Sequence, residues 1–185
     1  MCIRDRIYAV ITDIGASGGY YIAAAAEKIY ADKASAVGSI GVRIDSFGVV
    51  DAMKKLGIER RSITAGENKA ILDPFLDENP QHREFIQHVV DDIHDQFISA
   101  VKLGRGDRLS GDENLFTGLF WSGEEAVTLG LVDQLASERT VARDILNVSR
   151  RVDFTRRQRP LERLLGEVRL QLGALVEAMM QPVIR

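Results

Sequence analysis

Along most of its length the chain alternates short apolar runs with longer segments of helical spacing. Residues 7–12 form a brief run rich in β-branched side chains and predict a buried strand. Small residues follow from Ser17 to about Glu27 and predict a helix. Residues 28–31 predict the next strand. The run 37–42 is apolar but broken by Gly38 and Gly41, which points to tight turns or close backbone approach. Residues 47–56 have helical spacing and stop at Gly57, a C-terminal signal. Residues 59–64 predict a strand, and 65–75 an irregular segment. The clearest helix comes next. Asn79 can cap it, Pro80 suits its first turn, and Phe85, Ile86, Val89, Val90, Ile93, Phe97 and Val101 share one face. Gly104 and Gly106 are expected to end it. Residues 116–121 predict a strand with Trp121 in the core. Ser122 then caps a short helix through Glu125 and Leu129 to Gly130, and 131–133 predict a last strand. Strand and helix alternate, so the predicted fold class is α/β.

The pattern changes after about Ser137. Arg150, Arg151, Arg156, Arg157, Arg159 and Arg163 crowd one segment, and Leu161, Leu164, Leu165, Val168, Leu172, Leu175, Val176 and Met179 then trace a helical stripe. Residues 1–137 are therefore expected to form the main domain. Residues 138–185 are expected to form a basic, amphipathic, helical C-terminal extension. This tail could hold anionic lipid, pack on a neighbouring subunit, or be a solvated linker and helix.

Composition narrows the class. The chain is 45% hydrophobic and 28% charged, ordinary for a globular domain, and its net charge of −3 gives no reason to expect nucleic acid. The single cysteine, Cys2, excludes an internal disulfide. No apolar run approaches the roughly 20 residues that span a bilayer. The opening hexapeptide Met-Cys-Ile-Arg-Asp-Arg is neither a signal peptide nor a good lead-in to a buried strand, so the chain is expected to begin inside a longer protein.

Candidate chemistry centres on Gly15-Ala16-Ser17-Gly18-Gly19-Tyr20-Tyr21. One hydroxyl lies at the break between a predicted strand and a predicted helix, flanked by glycines that let a substrate backbone approach. Free N–H groups at a helix start can stabilise a developing oxyanion. Tyr20 and Tyr21 are expected to pack on the sheet, and Asp13 to end the strand. A serine hydroxyl needs a positioned base. His82, His88 and His94 lie six residues apart on the long helix, so each is rotated by about 240° from the last. That spacing suits neither a metal site nor a shared catalytic face, and they read as ordinary helix residues. Lys69 remains. A lysine serves as base when desolvation disfavours its charged form. Small and apolar residues follow Lys69, whereas the nearby Glu67 carboxylate favours the ammonium. A solvated loop lysine is the plainer local reading.

The ordered series of motifs resembles the signal peptide peptidase A family, including its SohB-like members, which are serine–lysine proteases. Ala16-Ser17-Gly18-Gly19-Tyr20-Tyr21 is similar to the nucleophile motif. Gly38-Ser39-Ile40-Gly41-Val42 is similar to the next signature. Gly66-Glu67-Asn68-Lys69 with Asp73-Pro74-Phe75 resembles the segment carrying the base. Residues 116–135 resemble the closing motif. The resemblance implies that Ser17 is the acylating nucleophile and Lys69 the general base. It also implies that Ser39 holds the lysine amine and that the Gly18 N–H is one oxyanion donor. The second donor would come from a glycine-rich turn upstream of the nucleophile strand, a segment not in this chain. The fold implied is the Clp protease and crotonase-like spiral of repeated ββα units. Peptide substrates, namely remnant signal peptides or unfolded segments near the membrane, are implied. So is a homo-oligomer in which serine and lysine can come from neighbouring subunits. An N-terminal anchor would hold the protease domain outside the cytoplasm, and no cofactor or metal is implied. Two alternatives stand beside this reading. One is an inert binding scaffold of the same fold. The other is a crotonase-like acyl-coenzyme A enzyme, since Glu124-Glu125-Ala126 followed by Gly130-Leu131-Val132 also occurs there.

Overall fold

The computed structural model describes residues 7–148 and 150–155. Residues 1–147 form one compact unit and 148–185 a second. In the second, residues 148 and 150–155 carry no helix or strand, and the arginine-rich stretch beyond Thr155 and its apolar stripe lie outside the described residues. The predicted boundary after residue 137 falls earlier than the observed one. Val141 packs against Tyr30 and Ala136, so the segment after Ser137 belongs to the first unit.

Two small sheets organise that unit. In the first, β1 (Tyr8–Ile11) pairs in parallel with β3 (Lys28–Ala31), and β3 pairs in parallel with β6 (Gln134–Leu135). In the second, β2 (Ile14–Ala16) runs parallel to β4 (Ala36–Gly38), which pairs antiparallel with β5 (Phe120–Ser122). The separation of β1 from β2 was not foreseen. The chain bends at Thr12 and Asp13, and Ile11 and Asp13 each carry a main-chain carbonyl that accepts from the far side of the bend: Asp32 N–H, just after β3, donates to the first and Ala36 N–H, at the start of β4, to the second. The predicted single strand thus continues in a second sheet, which sets the level at which Ser17 leaves it.

The helices follow their local signals closely. The α1 helix (Gly18–Ala23) is shorter than predicted. The α2 helix (Val50–Leu56) ends at Gly57, whose φ of 66° is left-handed. The long α3 (Pro80–Arg105) starts where Asn79 caps the Gln81 N–H at 2.9 Å. It runs through Gly104, because a side chain there would meet the Ala24 carbonyl oxygen at 1.9 Å; glycine lets α3 press on the end of α1. Ser122 and Glu125 form a reciprocal capping box on α4 (Gly123–Thr128). The short α5 (Glu138–Thr140) is capped by Ser137.

Three strand predictions shift. Residues 59–64 are exposed and form no strand; Arg61 pairs with Glu59 while Arg60 reaches Asp73. The predicted strand 116–121 is a 3₁₀ turn (Glu113–Phe116) followed by β5. The last strand slides from 131–133 to Gln134–Leu135, because Leu131 and Val132 are core plugs and Asp133 uses its carboxylate to accept from Ile29 N–H at 2.7 Å.

The core comprises Ile11, Tyr20, Ile29, Val37, Ile40, Phe97, Val101, Leu115, Leu131 and their neighbours. Each large apolar side chain buried there stabilises the fold by about 1.5–3 kcal/mol. A polar clasp crosses one end. The fully buried Arg105 guanidinium donates to the Gly130 carbonyl and to Asp133, both at 2.8 Å, and Arg108 reaches the other Asp133 oxygen at 3.1 Å. Burial alone would raise the Asp133 pKa. Hydrogen bonds from Arg105 and the Ile29 N–H, together with the Arg105 charge and Arg108, bring it down to about 2. The Tyr20 hydroxyl donates to the Leu131 carbonyl at 2.8 Å, and burial pushes its phenol well above the ordinary range.

Candidate active site

Ser17 occupies the junction of β2 and α1, with φ 52° and ψ −126°. That conformation is costly for a residue with a side chain, of order 1–3 kcal/mol, and persists only where surrounding bonds impose it. Two such bonds are present. The Ser17 N–H donates to the Gly38 carbonyl at 2.8 Å, and the Ser17 carbonyl accepts from Tyr21 N–H at 2.9 Å. The hydroxyl makes no helix-capping bond, and the residue is exposed. Gly18 and Gly19 follow with open space where side chains would stand. The Gly18 N–H lies in the first turn of α1, where amides have no intrahelical acceptor.

Ser39 leaves β4 as Ser17 leaves β2. Ala16 and Gly38 are register partners, so the two serines follow one another's neighbours at the same level of the sheet. Ser39 also has a left-handed φ, 51°. Its N–H donates to the Leu119 carbonyl at 2.7 Å, and its own carbonyl accepts from Gly41 N–H at 3.0 Å. Gly38, at φ 106°, makes this turn possible. A side chain there would also collide with the Trp121 ring at 2.8 Å. Trp121, expected in the core, is half-buried and packs against it from outside.

Lys69 lies in a run of turns. Its N–H donates to the Gly66 carbonyl at 3.1 Å, and its side chain is exposed. Several bonds hold the segment. Arg60 bonds Asp73 and stacks on the Phe75 ring at 4.7 Å, Val49 N–H donates to the Pro74 carbonyl, and Asn68 Oδ1 lies 3.1 Å from His82 Nε2. The Arg60 guanidinium holds the Asp73 carboxyl below its usual range, helped by the Phe75 N–H.

A cavity of about 390 Å³ opens beside Ser17 and Gly18, walled by Tyr21, Gly41, Val42, Ile93 and Phe97. A larger hollow of about 830 Å³ shares Val42 and Arg43 with it and extends past Phe47, Ala70 and His82. Ser39 and Lys69 line neither. Ser17 and Ser39 are thus brought to one sheet end, and Lys69 stands on the separate turn 66–72. Tyr20 is core, as expected. Tyr21 is not: it is nearly half exposed and meets the Phe97 ring edge-on, with centroids 5.2 Å apart. The cavity wall on α3 was missed from sequence. Ile93 and Phe97 belong to the apolar face already visible there, but nothing local says that one end of this face borders a cleft. The three histidines give no metal site, and no metal-binding cluster exists among the described residues.

A serine held in a strained turn between strand and helix, at the edge of a cavity, is an arrangement by which hydrolases present a nucleophile. The sequence profile described as peptidase family S49 matches residues 3–150. The chain belongs to peptidase family S49, as an SppA/SohB-like member. It is 33% identical to the Enterococcus faecium protein named "Putative signal peptide peptidase SppA", over 70% of this chain and 38% of that protein. It is 29% identical to "Serine protease SPPA, chloroplastic" of Arabidopsis thaliana, over 69% of this chain and 19% of that protein. It is also 44% identical, over 76% of its length, to a segment making up 19% of the Brucella abortus protein named "Na(+)/H(+) antiporter NhaA". The chain therefore spans less than half the length of these relatives. No helix among the described residues is long and apolar enough to cross a membrane.

Proposed function

We propose that this chain carries the centre of a serine–lysine endopeptidase. The observation that carries the reading is Ser17: a side-chain-bearing residue held at φ 52°, with a hydroxyl not used in capping, at the edge of a cavity lined by Tyr21, Val42, Ile93 and Phe97 together with Arg43 and Gln96. Its Oγ attacks the scissile carbonyl carbon while its proton passes to the neutral Lys69 amine. The Gly18 N–H stabilises the oxyanion. Collapse of the tetrahedral intermediate breaks the C–N bond, and the Lys69 ammonium protonates the leaving amine. Water then attacks the acyl-enzyme, giving its proton to Lys69, and Ser17 is regenerated as the acid product leaves. Ser39 orients the lysine amine. Because Lys69 is exposed in this chain, the dry surroundings that a lysine base requires would come from bound peptide or a second copy.

Substrates are extended peptides, remnant signal peptides or unfolded segments near the membrane. The open space above Gly18 and Gly19 suits main-chain pairing with such a strand. The strand order β1-β2-α1-β3-β4 suits the start of a ββα spiral. A homo-oligomer is favoured by the exposed Phe47, Leu56, Ile58 and Ile63, which lie on the segments flanking the Lys69 turn. The working location is a membrane-associated domain outside the cytoplasm. A hydroxyl held in this strained turn beside a cavity favours the peptidase reading over an inert scaffold or an acyl-coenzyme A enzyme. The antiporter name of one relative is not extended to this chain, whose matched profile is that of a peptidase.

The test is covalent labelling by a fluorophosphonate together with peptide hydrolysis, using the protein with its native flanking residues. Labelling mapped to Ser17, lost in Ser17→Ala, and hydrolysis lost in both Ser17→Ala and Lys69→Ala are expected. Hydrolysis retained in either variant overturns the assignment.

A further inference from the structure

From spacing alone the three histidines read as ordinary helix residues. The structure distinguishes them. His94 Nε2 lies 3.1 Å from the carbonyl oxygen of Ile40, the residue after Ser39. His82 Nε2 lies 3.1 Å from Asn68 Oδ1, the residue before Lys69. A carbonyl or amide oxygen can only accept, so each Nε2 carries the hydrogen and donates. His88, exposed between them, has no hydrogen-bond partner among the described residues.

These bonds lie about 18 Å apart along α3, from the helical rise over the intervening residues. They reach two segments with little regular structure of their own. The Ser39 turn is strained, with left-handed φ at both Gly38 and Ser39. The Lys69 segment is a chain of exposed turns. Phe97, one turn of helix beyond His94, meets Tyr21 on the helix that follows Ser17. One helix therefore touches the neighbours of Ser17, Ser39 and Lys69.

We propose that α3 anchors the two segments that carry Ser39 and Lys69, with His94 and His82 as their positioning residues. This rests on the serine–lysine reading above. Neither histidine touches substrate or exchanges a proton in the reaction. Each fixes a backbone segment through one donated hydrogen bond, so that the adjacent side chain is held where acyl transfer needs it. Small misplacements of reacting groups can cost about 100-fold in rate, which is why such tethers matter kinetically more than for stability.

The test compares His94→Leu, His82→Leu and the donor-retaining His94→Gln and His82→Gln, with His88→Leu as control, in the protein with its native flanking residues. Millisecond hydrogen exchange read by mass spectrometry needs no activity. His94→Leu is expected to speed exchange at Ser39 and Gly41 by at least tenfold, and His82→Leu at Lys69 and Ile71, with the β1–β3 amides unchanged. On a peptide substrate each Leu variant is expected to lower kcat about tenfold or more while KM stays within twofold. The Gln variants should recover to within about threefold of the parent, and His88→Leu should match it. Unchanged local exchange overturns the tethers, as does a loss spread over the whole fold. Gln variants as impaired as Leu overturn the donor role. Absence of any Ser17-dependent turnover in the parent would fail the peptidase reading, and the exchange data would still decide the tethers.

Discussion

The Ser17 amide donates to the Gly38 carbonyl at 2.8 Å, one step past the register pair formed by Ala16 and Gly38. That bond extends the β2–β4 ladder by one rung and stops it there. Ser17 turns into α1, and Ser39 turns toward Gly41. The strained conformation of Ser17 is therefore imposed by a neighbouring strand, which a short α1 helix could not do alone.

The strain makes stability and activity pull in opposite directions at Ser17. Glycine tolerates φ 52° without penalty. Ser17→Gly is expected to raise unfolding stability by about 1 kcal/mol, read by urea denaturation, while abolishing fluorophosphonate labelling. A variant that labels normally, or that is destabilised, would contradict this account.

If Ser39 holds the lysine amine, its loss should slow acylation without blocking peptide entry. Ser39→Ala is expected to lower kcat by about 10- to 100-fold with little change in KM. Steady-state kinetics on a peptide substrate decides it, and an unchanged kcat would remove Ser39 from the mechanism.

Contact between α3 and α1 depends on a missing side chain. Gly104→Ala drives a methyl into the Ala24 carbonyl oxygen and should destabilise by about 1–3 kcal/mol. Thermal or chemical unfolding would show this directly. A neutral outcome would mean that α3 can shift freely on the first helix.

The Asp133 clasp gives an acid limit. Its pKa in the folded state, about 2, lies below the ordinary 3.8. Its contribution is fully present above the ordinary value and is lost as pH falls through the folded one, so stability should decline between about pH 4 and pH 2. Asp133→Asn leaves the buried Arg105 charge uncompensated. It should cost about 3–5 kcal/mol near neutrality and flatten the acid limb, measured by unfolding at a series of pH values.

Tyr20 closes the same end of the fold. Tyr20→Phe leaves the buried Leu131 carbonyl without its partner and should cost about 1–3 kcal/mol with the ring's packing intact. Denaturant titration tests it, and a null effect would show that another donor replaces the hydroxyl.

Much of this was readable along the chain because it is local. The Asn79 and Ser122 caps, the Gly57 stop, the apolar face of α3 and the hydroxyl between strand and helix depend on residues within a turn or two of each other. Helix ends are governed by which nearby group satisfies a free amide or carbonyl, and short-range sequence states that. The glycines beside Ser17 and the lysine in its turn also marked the candidate chemistry.

Partnership across the fold was not readable in the same way. The split of the first strand into β1 and β2, the failure of 59–64 to pair, and the sliding of the last strand to Gln134–Leu135 all depend on which edge a distant segment offers. The difference between His88 and its two bonded neighbours is of that kind too. All three sit on one helix at equal spacing, and only the segments folded against it separate two hydrogen-bonded histidines from an exposed one. Sequence by itself determined the helices, their caps and the serine at its elbow, since those are short-range hydrogen-bond and periodicity effects. Tertiary structure decided the strand partners, the strain at Ser17 and Ser39, and the cavity wall on α3, since each requires two segments far apart in the chain to share one place.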